Sequence, residues 1–317
     1  MWQAGDSDNC YCTSPAGKES LLGEKDITEK LLENYDDVFS DIVNNLVFDG
    51  ARIVDEQDLE QARERSAYPG EKMLREQERD TAKYWKNNNI RIAFFGFENE
   101  TAAEDDMPFR VIGYDGAAYR DQIKFTKDKN GHRRKIMTRY PVITLVLYFG
   151  YKKHWDKAKS LYDIFGDKIN KNIHHLVNDY RINLYEIAFL SDEQVNRFKS
   201  DFRFVADYYV QMRKYGEYRG SKEEMLHAKE VLELLGFLTN DNRFMLGMKE
   251  GKEIKTMCEA LDIIEKRGEK RGEKRGERRG TLNILSDLVK EGILTISDAA
   301  RRAHMSVAAF KNAVGIK

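Results

Sequence analysis

The sequence predicts a mixed α/β fold, and three features carry that expectation. Two apolar runs, "IRIAFFGFEN" (90 to 99) and "YPVITLVLYFG" (140 to 150), are strand-sized, and each reads as a strand covered on both faces. Between them, "DMPFRVIGYDGAAYRDQIKFTK" (106 to 127) reads as a helix, with Pro108 in its first turn and Asp105 and Asp106 at the positive end of its dipole. Strand, helix and strand in that order imply a right-handed crossover within one sheet. Gly113, Gly116, Ala117 and Ala118 would let the helix lie close against that sheet.

The remaining elements follow in chain order. Residues 1–25 lack an apolar period and are expected to be disordered. Residues 26–50 repeat apolar side chains at Leu31, Leu32, Tyr35, Val38, Phe39, Ile42, Val43, Leu46 and Val47, the period of an amphipathic helix, and Gly50 closes it. The stretch 71–89 has no clear period. "KDKNGHRRK" is a basic turn, and "RINLYEIAFL" (181 to 190) reads as a further strand. A long helix is expected over 191–214 with Ser191 as its N-cap, and another over 221–241, so the second half of the body is mostly helical.

From Glu265 the chain reads "EKRGEKRGEKRGERRG". Each glycine costs a helix about 1 kcal/mol relative to alanine, and like charges recur at i,i+4, so 265–280 is expected to be a charged linker, at best a marginal helix. The organisation is then a disordered 1–25, a body over 26–264, the linker 265–280 and a small all-helical tail over 281–317. Within the tail, "TISDAARRAHMSVAAF" has the capped helix, turn and capped helix of a helix-turn-helix. Val307, Ala308, Ala309 and Phe310 offer few groups able to read base edges, so packing or homo-oligomer formation is an equal reading of this module.

Composition narrows the function classes. Hydrophobic residues make up 41% of the 317 and charged residues 34%, and no apolar run approaches the roughly 20 residues of a membrane span. The N-terminus lacks the basic-then-apolar pattern of a secretory signal, and three cysteines suit a reducing compartment, so a cytoplasmic protein with no membrane partner is expected. Cys10 and Cys12 have no second pair to complete a zinc site, and the six histidines are scattered. The net charge of −1 conceals an asymmetry: residues 265–317 hold 13 Lys and Arg against 7 Asp and Glu, whereas residues 1–264 hold 40 against 47. The basic tail weakly favours a nucleic-acid partner, with a solvated charged helix of equal weight.

Acids crowd the end of the first strand: Glu98 and Glu100, then Glu104, Asp105 and Asp106. Carboxylates at the carboxyl edge of a sheet are tolerated where a hard cation neutralises them, and Mg2+ needs few protein ligands because it keeps several waters. Strand alternation puts Glu98 and Glu100 on one face and Asn99 on the other. Asp80, in "ERDTAKYW", is placed to return antiparallel to Glu98 through the "KNNN" turn. On the residues alone, a solvated surface turn is the simpler account of Glu98 and Glu100, and first-turn helix acids the simpler account of Glu104, Asp105 and Asp106.

The order of "RDTAKYW", "GFENET", "MPFRVIGYDG", "YPVITLVLYFG" and "LSDEQVNRFKSDFRFVADYYVQ" resembles the recombination-promoting nuclease (Rpn) family of putative transposases, within the PD-(D/E)XK nuclease superfamily, over residues 35 to 265. The resemblance implies a PD-(D/E)XK nuclease-like core with a mixed central sheet. It also implies Asp80 and Glu98 as Mg2+ ligands with the Asn99 carbonyl as a third, and hydrolysis of a DNA phosphodiester by metal-activated water. The third catalytic position, Lys in most of the superfamily and Gln in Rpn-like members, is Glu100 here. A carboxylate there cannot stabilise developing negative charge, but it can hold a second metal or act as a general base if its pKa is raised.

Arg110 and Tyr114, at i,i+4, match the family's helix and share one face, where they could hold a DNA phosphate. An Arg capped by Asp105 or Asp106 and a core Tyr is an equal reading. Three functions follow: a Mg2+-dependent DNA endonuclease linked to recombination or mobile elements, a catalytically impaired nuclease-like DNA-binding or assembly protein, and a helix-turn-helix regulator acting through the tail.

Overall fold

The computed structural model describes residues 32–62, 65–69, 74–78, 80–88, 90–136, 138–241, 243–246 and 254–316. The disorder expected for 1–25, the start of the 26–50 helix, Cys10 and Cys12 lie outside those residues. In chain order the elements are a 3-10 turn at Leu32–Asn34, α1 (Asp36–Leu46), β1 (Leu59–Gln61), β2 (Arg65–Pro69), β3 (Leu74–Glu78), β4 (Thr81–Asn87), β5 (Ile90–Glu100), α2 (Met107–Asp121), β6 (Phe125–Lys127), β7 (Arg133–Lys135) and β8 (Val142–Tyr148). Then come α3 (Leu161–Phe165), β9 (Asn183–Glu186), α4 (Asp192–Arg197), α5 (Phe202–Tyr215), α6 (Ala228–Thr239), α7 (Arg243–Leu246), α8 (Met257–Lys290), α9 (Ile296–Arg302) and α10 (Val307–Val314).

Five strands form a mixed sheet in the order β1-β4-β5-β8-β9. The β1-β4 and β4-β5 pairs are antiparallel, whereas β5-β8 and β8-β9 are parallel, with α2 as the connection from β5 to β8. The strand-helix-strand expectation is therefore met. Alternate residues of β5 and β8 feed two cores, as period-2 geometry requires. Phe95, Phe97, Leu145 and Leu147 pack with Phe39, Ile42, Val205 and Tyr209 of α1 and α5, and the Phe39 and Phe97 rings stack at 4.4 Å. Val146 and Tyr148 face Met107 and Val111 at the start of α2, while Phe94 meets Ala118 near its end. Gly116 is not part of that contact: a side chain there would meet open space.

The stretch without a clear period, 71–89, holds β3 and β4. A buried cation disturbs the alternation of β4: Lys83, 2% exposed, donates to the Asn34 carbonyl at 2.8 Å and to the Asp36 carboxylate. Asn88 takes the left-handed backbone (φ 48°) that the return into β5 requires and that Asn tolerates. The helix expected over 106–127 ends at Asp121, and its last residues turn into β6, which pairs with β7 across the basic turn.

The helix expected over 191–214 is two helices. Ser191 caps α4 as expected, in a capping box with Gln194. Phe198 leaves the helical region (ψ 131°) to become buried against Phe202, and the freed Lys199 and Ser200 N–H groups donate to Asp41 at 2.7 Å each. Replacing Ser191 with alanine is expected to cost about 1 kcal/mol, read as a lowered midpoint in urea at unchanged slope.

Residues 265–280, expected as a linker, lie inside the continuous helix α8. Both ends of the helix are anchored. Thr256 caps it in a box with Glu259, Met257 and Ala260 are buried in the body's core, and Leu285 is buried against α9 and α10. Lysine and glutamate three residues apart, as in Lys266 and Glu269, add weak support along the repeat, so packing and capping override the glycine penalty. Thr295 and Ser306 cap α9 and α10 as expected, and Ala299, Ala300 and Phe310 form the tail's small core. The exposed start of α10 presents Val307, Ala308 and Ala309.

Candidate functional site

The site is built where β5 ends. The β4-β5 ladder pairs Ala82 with Gly96 and ends with Thr81 opposite Phe97, so Asp80 lies just before β4 at the end of the ladder where Glu98 continues β5. The Asn99 N–H donates to Asp80 Oδ2 at 2.7 Å and fixes the carboxylate there. Glu98 and Glu100 share one face, where both meet Arg110, and Asn99 points the other way, donating from Nδ2 to Glu33 Oε1 at 2.9 Å. Asp80, Glu98, Asn99, Glu100 and Arg110 thus meet at this rim, the end of β5.

Arg110 sits one turn into α2 and bridges three acids: Glu98 at 3.1 Å, Glu100 at 2.7 Å and Glu104 at 2.7 Å. Glu104 therefore serves the rim rather than the start of α2, and Asp105 pairs with Lys157 at 2.9 Å. Glu98 is 3% exposed, which makes its ionised form dependent on such partners. Arg110 also hydrogen-bonds Tyr114 four residues on, so the pair shares a helix face as the spacing implied. Burial opposes the guanidinium's charge, but bonds to Glu104 and Tyr114 and the Glu100 charge outweigh it and hold its pKa above the ordinary value. Tyr114 is buried, and its hydroxyl pKa is raised by burial and by the charges of Glu98 and Asp80.

Glu100 also titrates high. Burial raises its carboxyl pKa, the Arg110 charge and bond pull it down, and Glu104 and Asp80 push it up again. Glu33, a rim residue that no sequence motif marks, is fully buried in the 3-10 turn ahead of α1, and its Oε2 has no hydrogen-bond partner. Burial first, then the Asp80 charge, push its carboxyl up to about 7. Its position beside Leu32 gives no sign of this, because its partner Asn99 lies 66 residues away.

Asp80, Glu98 and Glu100 offer hard carboxylate oxygens, the chemistry Mg2+ accepts, and Glu33, whose Oε2 is buried without a hydrogen-bond partner, lies on the Asn99 side of the strand. Among the described residues no three His, Cys, Asp or Glu side chains are spaced to enclose a metal ion by themselves. A Mg2+ ion here would therefore keep water in its shell. A cleft of about 580 Å³ lies elsewhere, lined by residues of α1 and α4 among others, and shares no residue with the rim. Among the described residues no helix is long and apolar enough to cross a membrane.

No curated protein and no solved structure matches the chain. The family model for "putative transposase, YhgA-like" matches residues 51–217, a narrower stretch than the 35 to 265 of the motif resemblance. It takes in Asp80, Glu98, Asn99, Glu100, Arg110 and Tyr114 and leaves out Glu33 and the tail. Because the match covers more than half of the 317 residues, the chain belongs to the family of YhgA-like putative transposases.

Proposed function

We propose that this protein is a Mg2+-dependent DNA endonuclease linked to recombination or mobile elements, with its cutting centre at the rim of β5. The observation that supports the reading is the Asn99 N–H bond to the Asp80 carboxylate at 2.7 Å, one residue beyond Glu98 and just past the Thr81–Phe97 pair that closes the β4-β5 ladder. Asp80, Glu98 and the Asn99 carbonyl would hold Mg2+, which when bound supplies an activated water and polarises the scissile phosphate. Glu100, its pKa raised chiefly by burial, accepts the proton of the attacking water. The new P–O bond forms to that water's oxygen, the bond to the leaving sugar oxygen breaks, and the leaving oxygen is protonated from solvent. Arg110, about one-third exposed, would hold the phosphate with its guanidinium, and Tyr114 keeps that group on the Glu98 side.

A second reading has its own observation. The Arg110 guanidinium already satisfies Glu98, Glu100 and Glu104, which suits a nuclease-like body that binds or assembles on DNA without cutting. Nicking of a supercoiled plasmid in Mg2+ separates the two. Wild-type nicking that falls to background in Asp80→Ala and Glu98→Ala supports the endonuclease. Equal background in all three proteins discards it in favour of the second reading.

A further inference from the structure

We propose that one face of the β6-β7 ribbon is a DNA-phosphate contact separate from the cutting rim; the choice of DNA as partner rests on the reading above. Cross-strand pairing sets Phe125 opposite Lys135 and Lys127 opposite Arg133, so these four side chains share one face, while Thr126 and Arg134 share the other. All six strand residues are exposed. On the second face Arg134 is tied to Asp128 at 3.1 Å, and Asp128 also accepts the Asn130 and His132 N–H groups that shape the turn. The single carboxylate of the ribbon is thus engaged by its own turn, and Lys127, Arg133 and Lys135 make no ion pair among the described residues.

Two features point to an anionic ligand. Like charges directly opposite one another destabilise a strand pair, yet Lys127 faces Arg133 with no acid between them. Phe125, 47% exposed, is covered on one side by the Arg133 guanidinium at 3.7 Å from its centroid. A ring already stacked on a guanidinium holds that group in place rather than offering itself to a base, which favours phosphate contact over base stacking. Five cations against one acid over 125–135 also contrast with the acidic residues 1–264.

Position gives the contact a scale. The ribbon leaves the C-terminal end of α2, whose first turns carry Arg110 at the rim, and a 15-residue helix is about 22 Å long. A duplex lying along α2 would meet the ribbon about six base pairs from the scissile phosphate, at roughly 3.4 Å per pair.

The test is the salt dependence of binding to a linear duplex in EDTA, where no cutting occurs. Replacing Lys127, Arg133 and Lys135 together with alanine is expected to reduce the slope of log K against log salt by about 2 to 3, near 0.9 for each phosphate no longer neutralised. Arg134→Ala on the opposite face and Asp80→Ala at the rim should leave most of the slope intact. An unchanged slope in the triple variant, or no salt-dependent binding by the wild type, overturns the proposal. A reduced slope in a protein whose Asp80-dependent nicking is absent keeps the ribbon and discards the endonuclease; nicking with an unchanged slope does the reverse. Equal slope reductions in the triple variant and Arg134→Ala would make the face non-specific surface charge and overturn it as well.

Discussion

Arg110→Ala is expected to lower the unfolding free energy by about 3 kcal/mol at neutral pH, the lower end of the range for removing one partner of a buried ion pair. The guanidinium is partly exposed, which moderates the effect, but Glu98 beneath it is buried and keeps a charge it cannot hydrate. The thermal midpoint should fall by roughly 6–12 °C. Carboxyl groups whose folded pKa values are raised contribute stability that is complete below their unfolded values and lost as pH rises through the folded ones. Without Arg110 the Glu100 carboxyl loses the partner that pulls its pKa down, so the deficit should shrink toward acid pH. Millimolar Mg2+ should also narrow the gap at neutral pH, because a bound divalent ion replaces the missing charge. Differential scanning fluorimetry of both proteins with and without Mg2+ reads all three effects. A gap that Mg2+ leaves unchanged would count against a metal at this rim.

Glu33→Gln is expected to stabilise the protein at and above neutral pH. Glu33 titrates at about 7 in the folded chain against an ordinary 4.5, so folding is penalised increasingly as pH rises through that window. The full penalty, reached above pH 7, is about 3 kcal/mol at 1.36 kcal/mol per pKa unit. Glutamine keeps an acceptor for Asn99 and removes the ionisation. The variant should therefore match the wild type near pH 4.5 and exceed it by up to this amount at pH 8, measured by urea unfolding at both. Identical curves at pH 8 would show that Glu33 is not held in its neutral form by the fold.

The periodic parts of this fold were legible in the residues. β5 and β8 announced themselves as apolar runs, Pro108 marked the start of α2, and Ser191, Thr295 and Ser306 marked helix starts that the structure keeps. What escaped detection depends on partners distant in the chain. The break after α4 has no Pro or Gly to signal it, because its exposed N–H groups are satisfied by Asp41, 158 residues upstream in the case of Lys199. β4 was obscured by Lys83, which is buried only because Asn34 and Asp36 receive its charge. Glu33 joins the rim through Asn99, a contact no local spacing encodes. At the site itself, the alternation of Glu98 and Glu100 and the helical spacing of Arg110 and Tyr114 were readable, whereas the three-acid clamp on Arg110 was not.

The unbroken α8 makes tetrad number a mechanical variable. Deleting one four-residue unit would retract the far end by about 6 Å and rotate it by about 40°, whereas deleting a single residue would swing it by about 100°. Expansion or contraction by whole units is therefore the gentle route by which this rod could change length, with the terminal helices kept on nearly the same side.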